Sequence, residues 1–237
     1  MFIRFIITLL VAISCCSTAN AAIVTLRVEG VITDVGLGLR GNAFFNEGDR
    51  FSITTLYDDN TPVRNASSTR GLYTATSVSY TLGTYNAVQQ APDLTLFNGI
   101  FDGDQLIDPR DVFSVDGTSI SSGVTAPVIS SDGLVDGYSF TSGRFRITDD
   151  SGTALSGIDL PGRRIALEDF PDSARISINF FNASLGDSFF ASQGVLGDIT
   201  SLEQTFADVP EVPLPASAPL MIAGLALLKR RRQNAGG

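Results

Sequence analysis

Residues 23–32, IVTLRVEGVI, contain the pattern that decides the fold. Apolar and polar side chains alternate along this stretch, with Val24, Leu26 and Val28 set against Thr25, Arg27 and Glu29. Successive side chains of a β-strand point to opposite faces, so the alternation predicts a strand with one face in the core and one in water. Residues 176–181, ISINFF, repeat the pattern, with Ile176, Ile178 and Phe180 on the apolar side. The chain is therefore expected to build its core from strands.

Six further segments are rich in β-branched and aromatic residues, which favour strands. They are residues 50–57, 77–82, 94–97, 112–115, 138–147 and 186–191. Turn-forming residues separate them, and these lie at 58–60, 98–99, 102–103, 116–117, 132–133, 136–137 and 151–152. Outside these strands and the two ends, residues 167–170 or 199–206 could form a short helical turn. Together these patterns predict an all-β domain, built as an antiparallel two-sheet β-sandwich.

The composition excludes most catalytic chemistry. The chain of 237 residues has no His, and its two Cys residues and single Lys lie near its ends, so residues 22–211 contain none of the three. A Ser-His or Cys-His nucleophile, a Schiff-base lysine and a His or thiolate zinc site are therefore excluded from that segment, and the sequence predicts a protein that is not an enzyme. The segment also holds all 25 acidic residues but only eleven of the 16 basic ones, a formal charge of −14 that disfavours nucleic acid.

The first 21 residues have the pattern of a secretory signal peptide. Arg4 precedes an apolar run over residues 5–13, and Ala19 and Ala21 frame a cleavage site after Ala21. The apolar run is too short for a comfortable membrane span, although an uncleaved anchor remains the alternative. We therefore expect a signal helix that the secretion translocon recognises and that signal peptidase removes.

The C-terminal residues form a signal in three consecutive parts. The motif Val212-Pro213-Leu214-Pro215-Ala216 comes first, an apolar stretch over residues 218–228 follows, and the basic cluster Lys229-Arg230-Arg231-Arg232 ends it. Proline disfavours helix in the residue before it, so the motif is expected to stay extended, while the cations stop transfer through the inner membrane. The apolar stretch predicts a short transmembrane helix, which suits a temporary anchor; a permanent tail anchor is the alternative.

This tail resembles the PEP-CTERM sorting signals of Gram-negative bacteria, in the VPLPA variant. The resemblance implies export followed by processing at the C-terminal signal by an exosortase, in bacteria that make extracellular polysaccharide and biofilm. The body resembles, more loosely, exported domains found ahead of this signal, through residues 51–62, 71–73 and 147–161. That second resemblance implies a jelly-roll-like sandwich.

The chain is thus divided into five segments. Residues 1–21 are the signal peptide, 22–207 the β-sandwich domain and 208–217 a Pro-rich linker with the sorting motif; residues 218–232 are the transmembrane segment with its basic cluster, and 233–237 a short tail.

One acidic stretch has the residue types of a calcium site. Asp102, Asp104 and Asp108 lie close together in FDGDQLIDPRD, residues 101–111, which also includes Asp111. Carboxylate oxygens two and four positions apart on a turn suit a hard cation, although the spacing is not that of an EF-hand. An acidic turn between two strands explains the same residues without a metal and is the favoured interpretation. The pairs Asp58-Asp59 and Asp149-Asp150 have weaker versions of the same signal.

Two carbohydrate hypotheses remain. A glycoside hydrolase needs two carboxyl groups about 5 to 10 Å apart, but nothing in the sequence distinguishes one pair among the many acids. Tyrosines on one exposed face would stack on sugar rings, although buried strand positions are the more ordinary place for them. The five tyrosines are Tyr57, Tyr73, Tyr80, Tyr85 and Tyr138.

The sequence therefore favours a non-enzymatic exported protein of the cell surface or extracellular matrix. It is expected to be held transiently at the inner membrane with its domain in the periplasm, and then released. The alternative is a carbohydrate- or calcium-binding module attached to exopolysaccharide, and a glycoside hydrolase is the third hypothesis. No cofactor is expected other than the calcium of that alternative.

Overall fold

The computed structural model describes residues 22–66, 69–102, 105–117, 128–159, 165–186, 188 and 191–207. These residues form β-strands and single turns of 3-10 helix, the latter at Leu37–Leu39, Leu167–Asp169 and Ala183–Leu185. The strands are β1 (Ile23–Val35), β2 (Arg50–Asp58), β3 (Asn65–Ala66), β4 (Arg70–Thr74), β5 (Ser77–Leu82), β6 (Tyr85–Gln90), β7 (Asp93–Asp102), β8 (Gln105–Asp116), β9 (Val128–Ser131), β10 (Ser139–Asp149), β11 (Ser173–Phe181) and β12 (Ser192–Ala207).

All twelve of these strands belong to one antiparallel sheet. Their order is β3-β4-β7-β8-β10-β11-β12-β1-β2-β5-β6-β9. β1 lies inside the sheet, paired with β12 from Ile23 opposite Ala207 to Val35 opposite Val195, and with β2 on its other side. The prediction of an antiparallel all-β domain is confirmed, but the prediction of two separate sheets is wrong.

The sheet curls so that distant strands face each other. Tyr80 of β5 and Phe140 of β10 have ring centroids 5.1 Å apart, and the Tyr80 hydroxyl lies 2.9 Å from the carbonyl oxygen of Gly143. β5 and β10 are not neighbours in the sheet, so these contacts cross its concave side. The domain is therefore a half-barrel made from one sheet, in place of the expected jelly-roll-like sandwich. Alternation predicts which face of each strand is buried, and it does so equally for two stacked sheets and for one curled sheet.

The apolar side chains of the alternating strands lie on the concave side of the sheet. Val24, Leu26 and Val28 of β1 are fully buried, as are Ile178 and Phe180 of β11. Aromatic rings fill the space between opposite strands, with Phe180 packing within 6 Å of three rings, those of Phe45, Tyr85 and Phe140. The core expected from residues 23–32 and 176–181 is confirmed.

Several predicted boundaries need correction. A strand is expected at residues 186–191, but Gly186, Ser188 and Ala191 are in no strand and β12 begins at Ser192, while residues 187, 189 and 190 lie outside the described residues. Residues 199–206 lie within β12 and form no helical turn. The helical turn expected at residues 167–170 is confirmed as the 3-10 turn Leu167–Asp169. β12 is long because it pairs with β1 and β11 together, and this tertiary pairing overrides local preference.

Turn chemistry explains the tightest connection. Asp136 and Gly137 have φ angles of 50° and 88°, and an isolated bridge joins Val135 to Tyr138. Two consecutive positive φ values are those of a type I′ turn, which Asp-Gly favours, so the turn predicted at 136–137 is confirmed. Residues 98–99 were also expected to turn, but they lie within β7, where the register with β8 shifts after Asn98.

The two expected targeting segments, residues 1–21 and 208–237, lie outside the described residues, and so do the signal helix and the short transmembrane helix predicted within them. Among the residues that the structure describes, no helix is long and apolar enough to cross a membrane.

Candidate functional site

An open groove with a volume of about 750 Å³ lies along the start of β11 and the middle of β12. Its walls are residues 167–168, 170–175 and 198–202. The first of these stretches belongs to the 3-10 turn Leu167–Asp169, and Phe170, which is only 2% exposed, anchors the turn in the core. Ile199 is also buried, so the groove has an apolar base beneath a polar rim.

A β-bulge in β12 shapes the rim of the groove. Ser201 pairs with Glu29 and Ile199 pairs with the next residue of β1, Gly30, so Thr200 is the extra residue. Thr200 and Ser201 are therefore both exposed, although neighbours on a regular strand would face opposite sides. Bulges commonly redirect side chains next to binding sites. The bulge therefore places two adjacent hydroxyl residues at the groove, and the Thr200 hydroxyl also donates a long hydrogen bond of 3.4 Å to the carbonyl oxygen of Glu29.

Charged residues complete the rim. Nε of Arg175 lies 3.6 Å from a carboxylate oxygen of Asp198, its partner across the β11–β12 pair. Asp172 accepts a hydrogen bond of 2.7 Å from the backbone N–H of Asp150, and Glu168 contributes a third carboxylate. This mixture can hydrogen-bond a hydroxylated or charged ligand, but it offers no exposed ring for stacking, because Phe170 is buried.

The residues of the calcium hypothesis lie on the hairpin of β7 and β8. Asp102 ends β7 and pairs with Gln105 at the start of β8, while Asp108 lies in β8 opposite Ile100. Asp104 is outside the described residues, and of Asp102 and Asp108 the structure describes the backbone. The connection between the two strands, residues 103–104, lies outside the described residues, so the expected acidic turn stays a prediction. No group of three candidate metal ligands occurs among the described residues, and a site formed by Asp102, Asp104 and Asp108 stays a prediction.

Asp149, a weak candidate for metal binding in the sequence analysis, holds the loop that follows β10. Its two oxygens accept hydrogen bonds from the backbone N–H groups of Ser151, Thr153 and Ala154 and from the hydroxyls of Ser151 and Thr153, at 2.6–3.2 Å. These donors, with the Ser151 hydroxyl foremost, hold the pKa of Asp149 well below its ordinary value against the opposing effect of burial. A carboxylate surrounded by five donors has no lone pair left for a cation.

Asp111 has a related role beside Asp149. It is fully buried, pairs with Asp149 across β8 and β10, and accepts a 2.7 Å hydrogen bond from the backbone N–H of Leu155. The segment after β10 is therefore held by two adjacent carboxylates. Asp58 and Asp59 also serve local structure, since they accept hydrogen bonds from the backbone N–H groups of Asn60 and Ala22 respectively.

The sequence does not predict a second pair of buried carboxylates. Asp93 and Asp116 lie directly opposite each other on β7 and β8, and each is 2% exposed. Arg64 lies 2.5 Å from Asp93, and Nε of Arg144 donates a 2.6 Å hydrogen bond to Asp116. The pairing depends on the register between strands, which no local motif of this sequence specifies.

The tyrosines lie in the core and not on a sugar-binding face. All five are at most 5% exposed. Tyr80 shows why: its hydroxyl lies within 3.0 Å of both the Gly143 carbonyl and Oε1 of Gln89, and burial raises its pKa well above the ordinary value, with a further contribution from the charge of Asp116. The strand-core interpretation is confirmed, and stacking of sugars on these rings is excluded.

The sorting motif Val212–Ala216, the basic cluster Lys229–Arg232 and the cleavage residues Ala19 and Ala21 lie outside the described residues. Comparison of the chain with protein-family models, with curated proteins and with solved structures finds no match.

Proposed function

We propose that this chain is a non-enzymatic exported protein of the cell surface or extracellular matrix. On this proposal the signal peptide directs it through the translocon, the half-barrel folds outside the cytoplasm, and the tail holds it at the inner membrane. An exosortase then recognises Val212–Ala216 and processes the chain there. The tail resemblance supports the route.

The observation that supports a non-enzymatic protein is that its buried carboxylates bond to arginines or to backbone N–H groups. In the part of the chain that the structure describes, the buried carboxylates are Asp93, Asp111, Asp116 and Asp149. Each bonds to an arginine or to backbone N–H groups that hold a strand or a loop. Because the same segment has no His, Cys or Lys, the remaining candidates for acid-base chemistry are exposed carboxylates.

The groove supports binding better than hydrolysis. Of its carboxylates, Asp172 accepts a backbone hydrogen bond and Asp198 lies beside Arg175. The hydrolase hypothesis requires one protonated and one ionised carboxyl group facing a sugar. Replacement of Glu168, Asp172 and Asp198 by the corresponding amides, without loss of any turnover of the organism's own polysaccharide, would eliminate it.

Mass spectrometry of the released protein tests the sorting proposal. The full chain is expressed in a host with an exosortase, alongside a variant with Pro213 and Pro215 replaced by Ala. The released wild-type protein is expected to lack residues 220–232, and the variant is expected to accumulate uncut in the membrane fraction. The substitution Asp150→Asn, in the body of the chain, serves as the matched control and is expected to be processed like the wild type. A released species that still contains residues 220–232 contradicts the proposal.

A carbohydrate- or calcium-binding module is the second candidate, and the groove favours its carbohydrate form. Adjacent hydroxyls at Thr200 and Ser201 and the charges of Arg175 and Asp198 are groups that hydrogen-bond sugar hydroxyls. The calcium form is tested separately by melting the full chain in millimolar calcium. It requires a calcium-dependent rise in melting temperature that Asp104→Ala removes, and an unchanged melt discards it.

A further inference from the structure

Arginines cluster on the convex face of the sheet beside the groove. Arg144 and Arg146 are two residues apart on β10 and exposed on the same face, and Arg175 of β11 lies directly opposite Arg146. Side chains two apart on a strand are separated by about 7 Å, and opposite partners by about 5 Å. Arg110, on the neighbouring strand β8, lies beside Asp150, and its positive charge also acts on Arg146. This concentration of positive charge occurs in a segment whose formal charge is strongly negative.

Three of these four arginines pair with an aspartate, and the fourth does not. Arg110 lies 2.7 Å from Asp150, Arg144 is bonded to the buried Asp116, and Arg175 lies 3.6 Å from Asp198 in a contact exposed on both sides. The guanidinium group of Arg146, by contrast, forms no hydrogen bond or ion pair with any residue that the structure describes.

The surroundings of Arg146 favour an anion there. Burial of part of its side chain lowers its pKa, and the charges of Arg110 and Arg144 lower it further, while Asp150 opposes them. A negative group placed between these guanidinium groups relieves that repulsion. Guanidinium groups bind oxyanions through two parallel N–H donors, which makes them suited to carboxylate.

We propose that Arg144, Arg146 and Arg175 bind the carboxylate groups of an acidic saccharide whose hydroxyl groups reach the adjacent groove. Arg175 belongs to both surfaces, so a ligand bound at Arg146 reaches Thr200 and Ser201 by continuing past it. Ser177, opposite Arg144, adds a further hydroxyl. A nucleic acid is a poorer ligand, because its dense charge is repelled by the other acidic surfaces. The choice of a saccharide rests on the proposed extracellular function.

Calorimetric titration of the purified full chain tests this site. The probe is an oligogalacturonate of defined length at low salt, and its fully methyl-esterified form is the matched neutral ligand. The acidic form is expected to bind, with an affinity that falls as salt is added, and the neutral ester to bind at least about tenfold more weakly.

Variants locate the binding. Arg146→Gln is expected to weaken binding about tenfold or more, since hydrogen bonds to charged groups have that magnitude, and Arg146→Lys to retain part of the affinity. Arg27→Gln is the matched control, because Arg27 is an exposed strand arginine on β1 that already pairs with Glu29. It is expected to bind like the wild type. Melting curves of all variants confirm that they are folded.

Three results overturn the proposal: no binding of the acidic form, equal binding of the ester, or wild-type affinity in Arg146→Gln. Tighter binding of inorganic phosphate or of a single-stranded oligonucleotide than of the oligogalacturonate also overturns the choice of ligand. The failure of this site is distinguishable from failure of the proposed function, because C-terminal processing is measured independently of ligand binding.

Discussion

Replacement of Asp149 tests whether one carboxylate holds the loop that follows β10. Asp149→Asn keeps the shape of the side chain but replaces one acceptor oxygen with an amide that donates. The five donors around Asp149 include the backbone N–H of Ala154, which is buried and has this carboxylate as its acceptor. The variant therefore places a donor against donors, and water has little access to the buried N–H of Ala154.

The expected cost is about 3 kcal/mol. A buried donor left without an acceptor costs about 1–3 kcal/mol, and hydrogen bonds to a charged group contribute about 1.5–3 kcal/mol each, of which part is recovered where water reaches Ser151 and Thr153. In a domain of this size such a loss lowers the melting temperature by about 6–12 °C. Urea unfolding followed by circular dichroism measures the free energy directly.

Acid provides a second measurement of the same interaction. The folded-state pKa of Asp149 is depressed, so its stabilisation is present above the unfolded pKa of about 4 and is lost as pH falls towards the folded value. The difference between wild type and Asp149→Asn should therefore shrink as the pH is lowered below about 4. The neighbouring variant Asp150→Asn removes an exposed ion pair with Arg110 and should change stability by less than about 1 kcal/mol. If Asp149→Asn and this control have the same free energy of unfolding at neutral pH, the Asp149 carboxylate does not hold the loop.

Three further perturbations probe the concave side of the sheet. Phe180→Ala removes a ring that packs against three others and is expected to cost about 3–5 kcal/mol in urea unfolding; a loss below about 1 kcal/mol would contradict the core assignment. Gly143→Ala places a methyl group about 2.2 Å from the ring of Tyr80, so we expect about 1–3 kcal/mol of destabilisation, and a neutral result would show that β5 and β10 are not in contact. Burial raises the pKa of Tyr57 to about 12, despite the hydrogen bond that Gln204 donates to its hydroxyl. The unfolded chain then ionises first, so stability falls as pH rises from about 10 to 12, and ultraviolet titration showing that all five tyrosines ionise near pH 10 in the folded protein would refute this.

The sequence predicts the strands well where one strand face is apolar. Residues 77–82 match β5 at both ends, and 23–32 and 50–57 lie within β1 and β2. The sequence does not predict β12, because its polar residues and Gly194 leave little alternation of apolar and polar side chains. The strand forms because β1 and β11 both pair with it. Whether buried faces belong to one sheet or two depends on contacts such as Tyr80 with Phe140, between residues far apart in the chain.

The candidate site is harder to predict than the fold. Arg146 and Arg175 become neighbours only through the register of β10 with β11, and the exposed hydroxyls of Thr200 and Ser201 depend on a bulge. Neither has a local sequence signature. The acid-rich turns were visible in the sequence, but the role of Asp149 depends on the conformation of the segment after it, which supplies all five donors.

The placement of β1 determines when the domain can fold. β1 is the first strand of the domain, yet its residue Ile23 pairs with Ala207, at the end of the last strand. Until the ribosome has made that last strand, one whole edge of β1 has no backbone partner. Pairing between such distant residues is slow to form, so the nascent chain should stay unfolded for longer than a helical protein of equal length. A chain in that state can pass through a channel too narrow for the folded domain for as long as β12 has not been made.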